Sequence, residues 1–221
     1  MRRDPILRAA IKRIGPCELA SRQRSDHLTA LIGAIVSQQL STKAAATIFG
    51  RFVALFPTGE IPDAPAVDAL DAEALRRIGL SRQKIGYLRD LCARIADRRL
   101  QLDELEELED EQVIERLTTV RGFGRWTAEM FLMFRLHRPD VLPVDDLGLV
   151  RAVQNLYGLR GRPNADAIRR LGDAWKPYRS VASWYLWQSL RLDDVGSKSR
   201  PKRLDPRGRA RREQGRQRPR R

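Results

Sequence analysis

Two adjacent carboxylates and two closely spaced glycines are the residues of this 221-residue chain best placed to do chemistry. Asp145 and Asp146 lie in VLPVDDLGLVRAV, residues 141–153. Pro143 imposes an extended entry, so an acid that opens the next helix is held by a rigid turn and by first-turn N–H groups. Hydrogen bonds from such groups favour the charged form of a carboxylate. The plainer reading is that one of the two acids is an N-cap and the other a first-turn acid that complements the helix dipole. Upstream, LTTVRGFGRWTAEM (117–130) sets Gly122 and Gly124 around Phe123 immediately before a helix. Glycine permits positive φ and close backbone approach, and the first-turn N–H groups of the following helix point outward with the positive end of its dipole, which makes a seat for phosphate. On glycine spacing alone the plainer reading of the stretch is an ordinary turn, with Val120 and Phe123 packed against the preceding helix.

Other chemistries have less support. Cys17 and Cys92 are too few and too far apart for a zinc or iron–sulfur site, and His27 and His137 lie in unrelated surroundings, so no metal site is expected and the thiols are read as reduced and partly buried. No run of about 18 apolar residues could span a bilayer, and MRRDPILRAAIKRIG has no apolar core for a secretory signal, so the expected address is the cytoplasm. The net charge is +14, but residues 196–221 hold 12 Lys and Arg against two acids, so ten of those charges belong to the tail. With almost no large apolar side chains, that tail is expected to be disordered, serving either as a non-specific grip on nucleic acid or as a solubilising terminus.

The elements that must position these residues are helical throughout. Apolar residues recur at helical spacing and no segment alternates with period two, so the fold is read as all-α. Helices are expected over His27–Ser37 and Ser41–Phe56, joined by a tight Gln-Gln-Leu turn with Ser41 or Thr42 as cap. A loop over 57–65 precedes helices over Val67–Ile78, with Gly79 as its C-terminal cap, Ser81–Asp97, Asp110–Thr118 and Arg125–Leu136. Pro139 and Pro143 break the chain before three last helices, from Asp145 or Asp146 to Tyr157, over Asn164–Ala174 and over Pro177–Leu190.

Helix, GxG loop, helix and then Pro-x-Asp-Asp resembles the helix-hairpin-helix DNA glycosylase superfamily, and most nearly its 3-methyladenine DNA glycosylase II group. IVSQQLSTKAAA is similar to the family's DNA-probing hairpin, GFGRWTA to its phosphate-binding hairpin, LPVDDLGLVRAV to its catalytic-aspartate segment and WKPYRSVASWYLW to its C-terminal helix, in the family's order over residues 27–190. The resemblance implies two helical lobes flanking a DNA-binding cleft. One lobe comprises residues 26–144, and residues 1–25 plus 145–195 make the second, without the N-terminal β-domain that members often carry.

By motif position the resemblance makes Asp146 catalytic and Asp145 structural or a cap. It places Trp126, Trp187 and Met130 in the base pocket, with Trp184 and Tyr178 as weaker candidates and Trp175 as core. It assigns DNA contact to Gln39, Leu40, Gly122, Phe123, Gly124 and Arg125, with either Gln39 or Leu40 wedged into the stack and the amides of Phe123, Gly124 and Trp126 on a phosphate. It further implies release of cationic alkylated bases such as 3-methyladenine and 7-methylguanine from double-stranded DNA by a monomer. No cofactor is required, though a monovalent cation can bridge hairpin and phosphate. Tryptophan at position 126, where lyase relatives carry lysine, implies no strand cleavage. The competing expectations are a glycosylase for another class of damaged base, a non-catalytic helix-hairpin-helix DNA-binding protein, and a helical protein-interaction domain.

Overall fold

Short polar side chains punctuate the chain, and each starts a helix. A computed structural model describes residues 4–20 and 25–198. Asp4 caps α1 (Pro5–Ile14), Asp26 caps α2 (His27–Ser37), Ser41 caps α3 (Thr42–Val53), Asp63 caps α4 (Ala64–Asp68), Asp71 caps α5 (Ala72–Arg77) and Ser81 caps α6 (Arg82–Ala96). After a 3₁₀ turn at Asp103–Glu106 come α7 (Asp110–Thr118) and α8 (Arg125–Phe134). The chain continues with α9 (Leu147–Leu156), capped by Asp146, α10 (Ala165–Gly172), capped by Asn164, a 3₁₀ turn at Asp173–Trp175, and α11 (Arg179–Lys198). The fold is all-α, with no strand among the described residues.

Most expected helices are present, with four differences of physical origin. The segment expected as one helix over Val67–Ile78 is two, because Asp63 and Asp71 each accept a first-turn N–H, from Ala66 at 2.7 Å and from Ala74 at 2.8 Å. Pro65 in the first turn of α4 starts that helix inside the expected loop. The N-terminal segment, with no element foreseen, forms α1 behind an Asp-Pro start. Finally, α11 begins at Arg179 and runs to Lys198, into the first residues of the tail expected to be disordered; residues 199–221 lie outside the described residues.

Packing gathers the helices around two apolar cores. One joins α2 to α8, with Leu31, Ile32, Ile35, Phe52, Leu88, Leu91, Leu117 and Leu132 fully buried. The other joins α1 to α9–α11 through Leu7, Leu149, Val153, Ile168, Trp175, Ala182 and Leu186. Each buried Leu or Ile contributes roughly 1.5–3 kcal/mol. Phe134 and Trp187 pack against both cores and stack on each other at 5.9 Å between centroids, so this aromatic pair is the apolar joint between them. Arg179 adds a polar joint, holding Asp140 through Nε at 2.8 Å and Nη2 at 2.9 Å.

The second core is closed by a buried carboxylate. Asp4 accepts from the Leu7 amide at 2.9 Å, from Trp175 Nε1 at 2.8 Å and from the Tyr157 hydroxyl, so α1 is fastened to residues more than 150 positions away. Burial pushes this carboxyl up, but the hydrogen bonds from Tyr157, Leu7 and Trp175 together outweigh it and hold it below the usual carboxylate range. Among the described residues no helix is long and apolar enough to cross a membrane. Asp4→Ala leaves Trp175 Nε1 and the Tyr157 hydroxyl without their acceptor and should lower unfolding free energy by about 2–4 kcal/mol. Urea denaturation checks this, and a loss below about 0.5 kcal/mol would mean that α1 is dispensable.

Candidate active site

The backbone before α9 delivers one carboxylate to the junction of the two cores. Asp146 is in extended conformation (φ −68°, ψ 119°), and its Oδ1 accepts the Leu149 amide at 2.6 Å. Capping therefore falls to Asp146 itself and not to Asp145, which is exposed; the helix starts one residue later than a capping Asp145 would require. Two indoles complete the shell, Trp126 Nε1 donating to Oδ2 at 2.9 Å and Trp187 Nε1 to Oδ1 at 2.8 Å. Trp126 is in the first turn of α8 and Trp187 on α11, so the half-buried carboxylate ties the two halves of the molecule together. Gly148 leaves it room, since a Cβ there would come within 3.1 Å of Asp146 Oδ1 and 3.3 Å of Trp187 Cδ1.

Trp126 also walls a cleft of about 390 Å³ between α2 and α8, together with Ala30, Ala34, Met130, Phe131 and Phe134. That is a volume suited to a small flat ligand. Trp126 is 45% exposed and offers a ring face, while Met130 is half-buried in the wall. Trp187 lies behind the wall, stacked on Phe134. Trp175 and Trp184 are core residues, and Tyr178 is exposed.

The hairpin between α7 and α8 is built against α6. Gly122 has φ +85°, and a Cβ there would sit 2.3 Å from the Tyr87 ring, so both conformation and space demand glycine. The Phe123 amide bonds the Val120 carbonyl at 3.1 Å to close the turn; it is not available for phosphate, contrary to expectation, and the Phe123 side chain is buried. Gly124 is the N-cap of α8 and supplies no side chain, whereas α1–α6, α9 and α10 are each capped by one. The first-turn amides of α8 are thus left for an external anion. Arg125, expected to contact DNA, has its guanidinium engaged within the protein, by Glu111 at 2.9 and 2.5 Å and by Glu129 at 3.1 Å.

Across from the hairpin, Gln39 (φ +58°) and Leu40 are exposed on the turn between α2 and α3. The turn is held by residues that motif reading did not single out for a role: Gln38 Nε2 donates to the Gly122 carbonyl at 2.9 Å, and Lys84 Nζ to the carbonyls of Val36 and Gln38 at 2.8 and 2.7 Å. A glutamine at a tight turn is a weak signal for the first, and nothing in the spacing marks the second. Among the described residues no group of three or more His, Cys, Asp or Glu is arranged to hold a metal, and Cys17 is exposed while Cys92 is buried, its thiol pushed up to about 12 by burial.

These features match a known family. A family model described as "HhH-GPD superfamily base excision DNA repair protein" matches residues 32–177. The chain belongs to this superfamily. A DNA-3-methyladenine glycosylase 1 of Schizosaccharomyces pombe is 37% identical over 184 residues, 83% of this chain and 81% of that one. The solved structure of an S. pombe 3-methyladenine DNA glycosylase in complex with abasic DNA superimposes with a TM-score of 0.78 at 34% identity, covering 86% of this chain and 94% of that one. A Bacillus halodurans DNA-3-methyladenine glycosidase gives 0.76 at 38% identity, covering 88% of both. In this HhH-GPD chain α7, residues 119–124 and α8 form a helix, a glycine-containing hairpin and a helix.

Behind the hairpin the HhH-GPD scaffold carries an unforeseen buried acid. Glu129, 5% exposed, borders a polar cavity of about 290 Å³ at the lobe junction. Burial pushes its carboxyl up to about 7, with Arg125 opposing and the Asp145 and Glu111 charges adding to the rise. A carboxyl raised from 4.5 takes up a proton on folding, so its contribution is complete below about 4.5 and is lost as pH rises through 7. Glu129→Gln should therefore flatten the fall in stability between pH 5 and 8 by on the order of 1–3 kcal/mol; an unchanged slope in urea titrations would place the titrating group elsewhere.

Proposed function

We propose that the protein is a base-excision-repair DNA N-glycosylase that flips alkylated bases of the 3-methyladenine and 7-methylguanine class out of the duplex and releases them by hydrolysis. The observation that carries this reading is one carboxylate, Asp146, fixed by three N–H donors, one of them the indole of Trp126, which also walls an aromatic-lined cleft. Breaking the C1′–N bond builds positive charge on the sugar; a fixed negative charge beside C1′ stabilises that state, and it can orient the water whose oxygen bonds C1′ as the base departs. The water's proton goes to Asp146 or to solvent. Bases alkylated at N3 or N7 are cationic, which favours departure and draws them to the exposed face of Trp126. Met130 and Phe134 line the rest of the slot, and Trp187 acts through the carboxylate and Phe134.

The extruded nucleotide leaves a gap, and Gln39 or Leu40 on the exposed turn fills it, while the α8 amides, beginning at Gly124, hold a neighbouring phosphate. Gly122 gives the hairpin its shape and Phe123 anchors it. Arg125 serves by ordering the first turn of α8. The reaction requires no cofactor. The hairpin carbonyls of Val120 and Gly122 each accept one hydrogen bond and keep a second lone pair, which suits them to share a monovalent cation with that phosphate. The partner is double-stranded DNA with damaged bases, met by a monomer in the cytoplasm, since one chain holds a whole cleft.

Release of free base from methylated duplex, compared between wild type and Asp146→Asn with DNA binding followed in parallel, tests this. Wild type should release 3-methyladenine or 7-methylguanine, and the variant should bind yet lose at least about a hundredfold in rate, the scale of removing one stabilising group at a developing charge. Binding without release by either protein would favour the non-catalytic DNA-binding module, or a lesion outside the alkylated set. Because Trp126 has no amine to attack the sugar, borohydride should trap no covalent adduct with abasic DNA; a trapped adduct overturns the monofunctional assignment.

A further inference from the structure

Three side chains on one face of α6 grip the two segments that flank the cleft. They stand at Lys84, Tyr87 and Asp90, spaced three apart, so they line one edge of the helix. Lys84 Nζ collects the last carbonyls of α2, Val36 at 2.8 Å and Gln38 at 2.7 Å. The Tyr87 ring fills the space above Gly122, with its hydroxyl held by Gln83 Nε2. Asp90 accepts the Arg121 amide at 2.8 Å and the Arg94 guanidinium at the same distance. Gln38 closes the loop by donating to the Gly122 carbonyl at 2.9 Å.

Lys84 is the unusual member. Its ammonium is partly buried and, among the described residues, pairs with no carboxylate; two backbone carbonyls at a helix C-terminus are its acceptors. A cation there answers the negative end of the α2 dipole and replaces the usual glycine cap, while the following residue, Gln39, stands at φ +58° without being glycine. Desolvating an ammonium is costly, and a helix end can be capped more cheaply. What Lys84 adds that a glycine cap would not is a direct tie from the exposed turn to the helix that also carries the hairpin.

We propose that Lys84 is a positioning residue, and that the Lys84–Tyr87–Asp90 edge of α6, with Gln38, holds the Gln39–Leu40 turn at a fixed distance from the phosphate-seating hairpin, so that wedge and phosphate engage one duplex together. The proposal rests on the glycosylase reading only in naming the wedge; its test needs no catalysis. Lys84→Met keeps the length of the stem and removes the three donors. It is measured for affinity to a duplex with a tetrahydrofuran abasic site and to the same duplex intact, in wild type, in Lys84→Met, in Gln39→Ala/Leu40→Ala and in the combined variant, with thermal melting as the control for folding.

The expected result is that affinity for intact duplex is retained while the preference for the abasic duplex falls by on the order of tenfold, about 1.4 kcal/mol. The wedge substitutions should then cost less in the Lys84→Met background than in wild type, because both act on one contact. An unchanged preference, a parallel loss on both duplexes, or fully additive effects would each overturn the proposal. If Lys84→Met does not fold, Gln38→Ala, which removes only the tie to Gly122, is read by the same criteria. Base release by wild type is scored separately, so failure of the glycosylase reading and failure of the tie are distinguishable.

Discussion

Three N–H groups converge on the carboxylate of Asp146, and the arrangement of both lobes follows from the need to bring them there. Each donor belongs to a different helix: the Leu149 amide to α9, one indole to α8 and the other to α11. A carboxylate has enough lone pairs for all three, whereas an amide oxygen in its place would turn its NH₂ toward an indole N–H. The pin is thus specific to an acid, and it works between the two cores at the point where Phe134 and Trp187 stack. The carboxylate proposed as catalytic is also a joint between the two cores.

The rest of the site is arranged around that pin with little free charge of its own. Arg125 is consumed by Glu111 and Glu129, Arg179 by Asp140 and Arg94 by Asp90. The cleft wall itself is mostly apolar and aromatic, with the hydroxyl residues Ser25, Ser37 and Thr127 and with Arg135, which pairs with Glu106 at 3.6 Å. Such a surface discriminates by shape and by the ligand's own charge more than by a dense pattern of side-chain hydrogen bonds.

Local chemistry made much of this legible in the residues themselves. Helix starts could be read because the caps are short polar side chains at positions where few others serve, and the shape of the hairpin could be read because Gly122 tolerates nothing larger. The pairing of Asp145 and Asp146 was harder, since either could cap; only the start of α9 at Leu147 decides it. What could not be read are contacts between distant segments. Arg125 looks like a phosphate ligand until α7 brings Glu111 beside it, Glu129 looks like a solvent-facing helix residue until the lobes close over it, and Lys84 carries no pattern at all because its partners are backbone carbonyls 46 and 48 residues away. The split of the expected helix over Val67–Ile78 was in principle visible, as Asp63 and Asp71 are both good caps, but apolar periodicity ran across the break and masked it.

The bare start of α8 has an implication for how such a surface changes over generations. Where binding is done by peptide N–H groups, every residue type except proline presents the same donor, so the grip itself asks nothing of the side chains at that turn; Arg125, Trp126 and Thr127 are held there by their other contacts. Alanine scanning of the turn would report those contacts and not the grip. What selection can act on is the shape that exposes the donors, which here reduces to the missing Cβ at Gly122 beneath the Tyr87 ring and the missing cap at Gly124. At Gly122 the hairpin has to keep a hydrogen in place of a side chain; at Gly124, where a Cβ would meet nothing within 4 Å, it has only to avoid a side chain that caps.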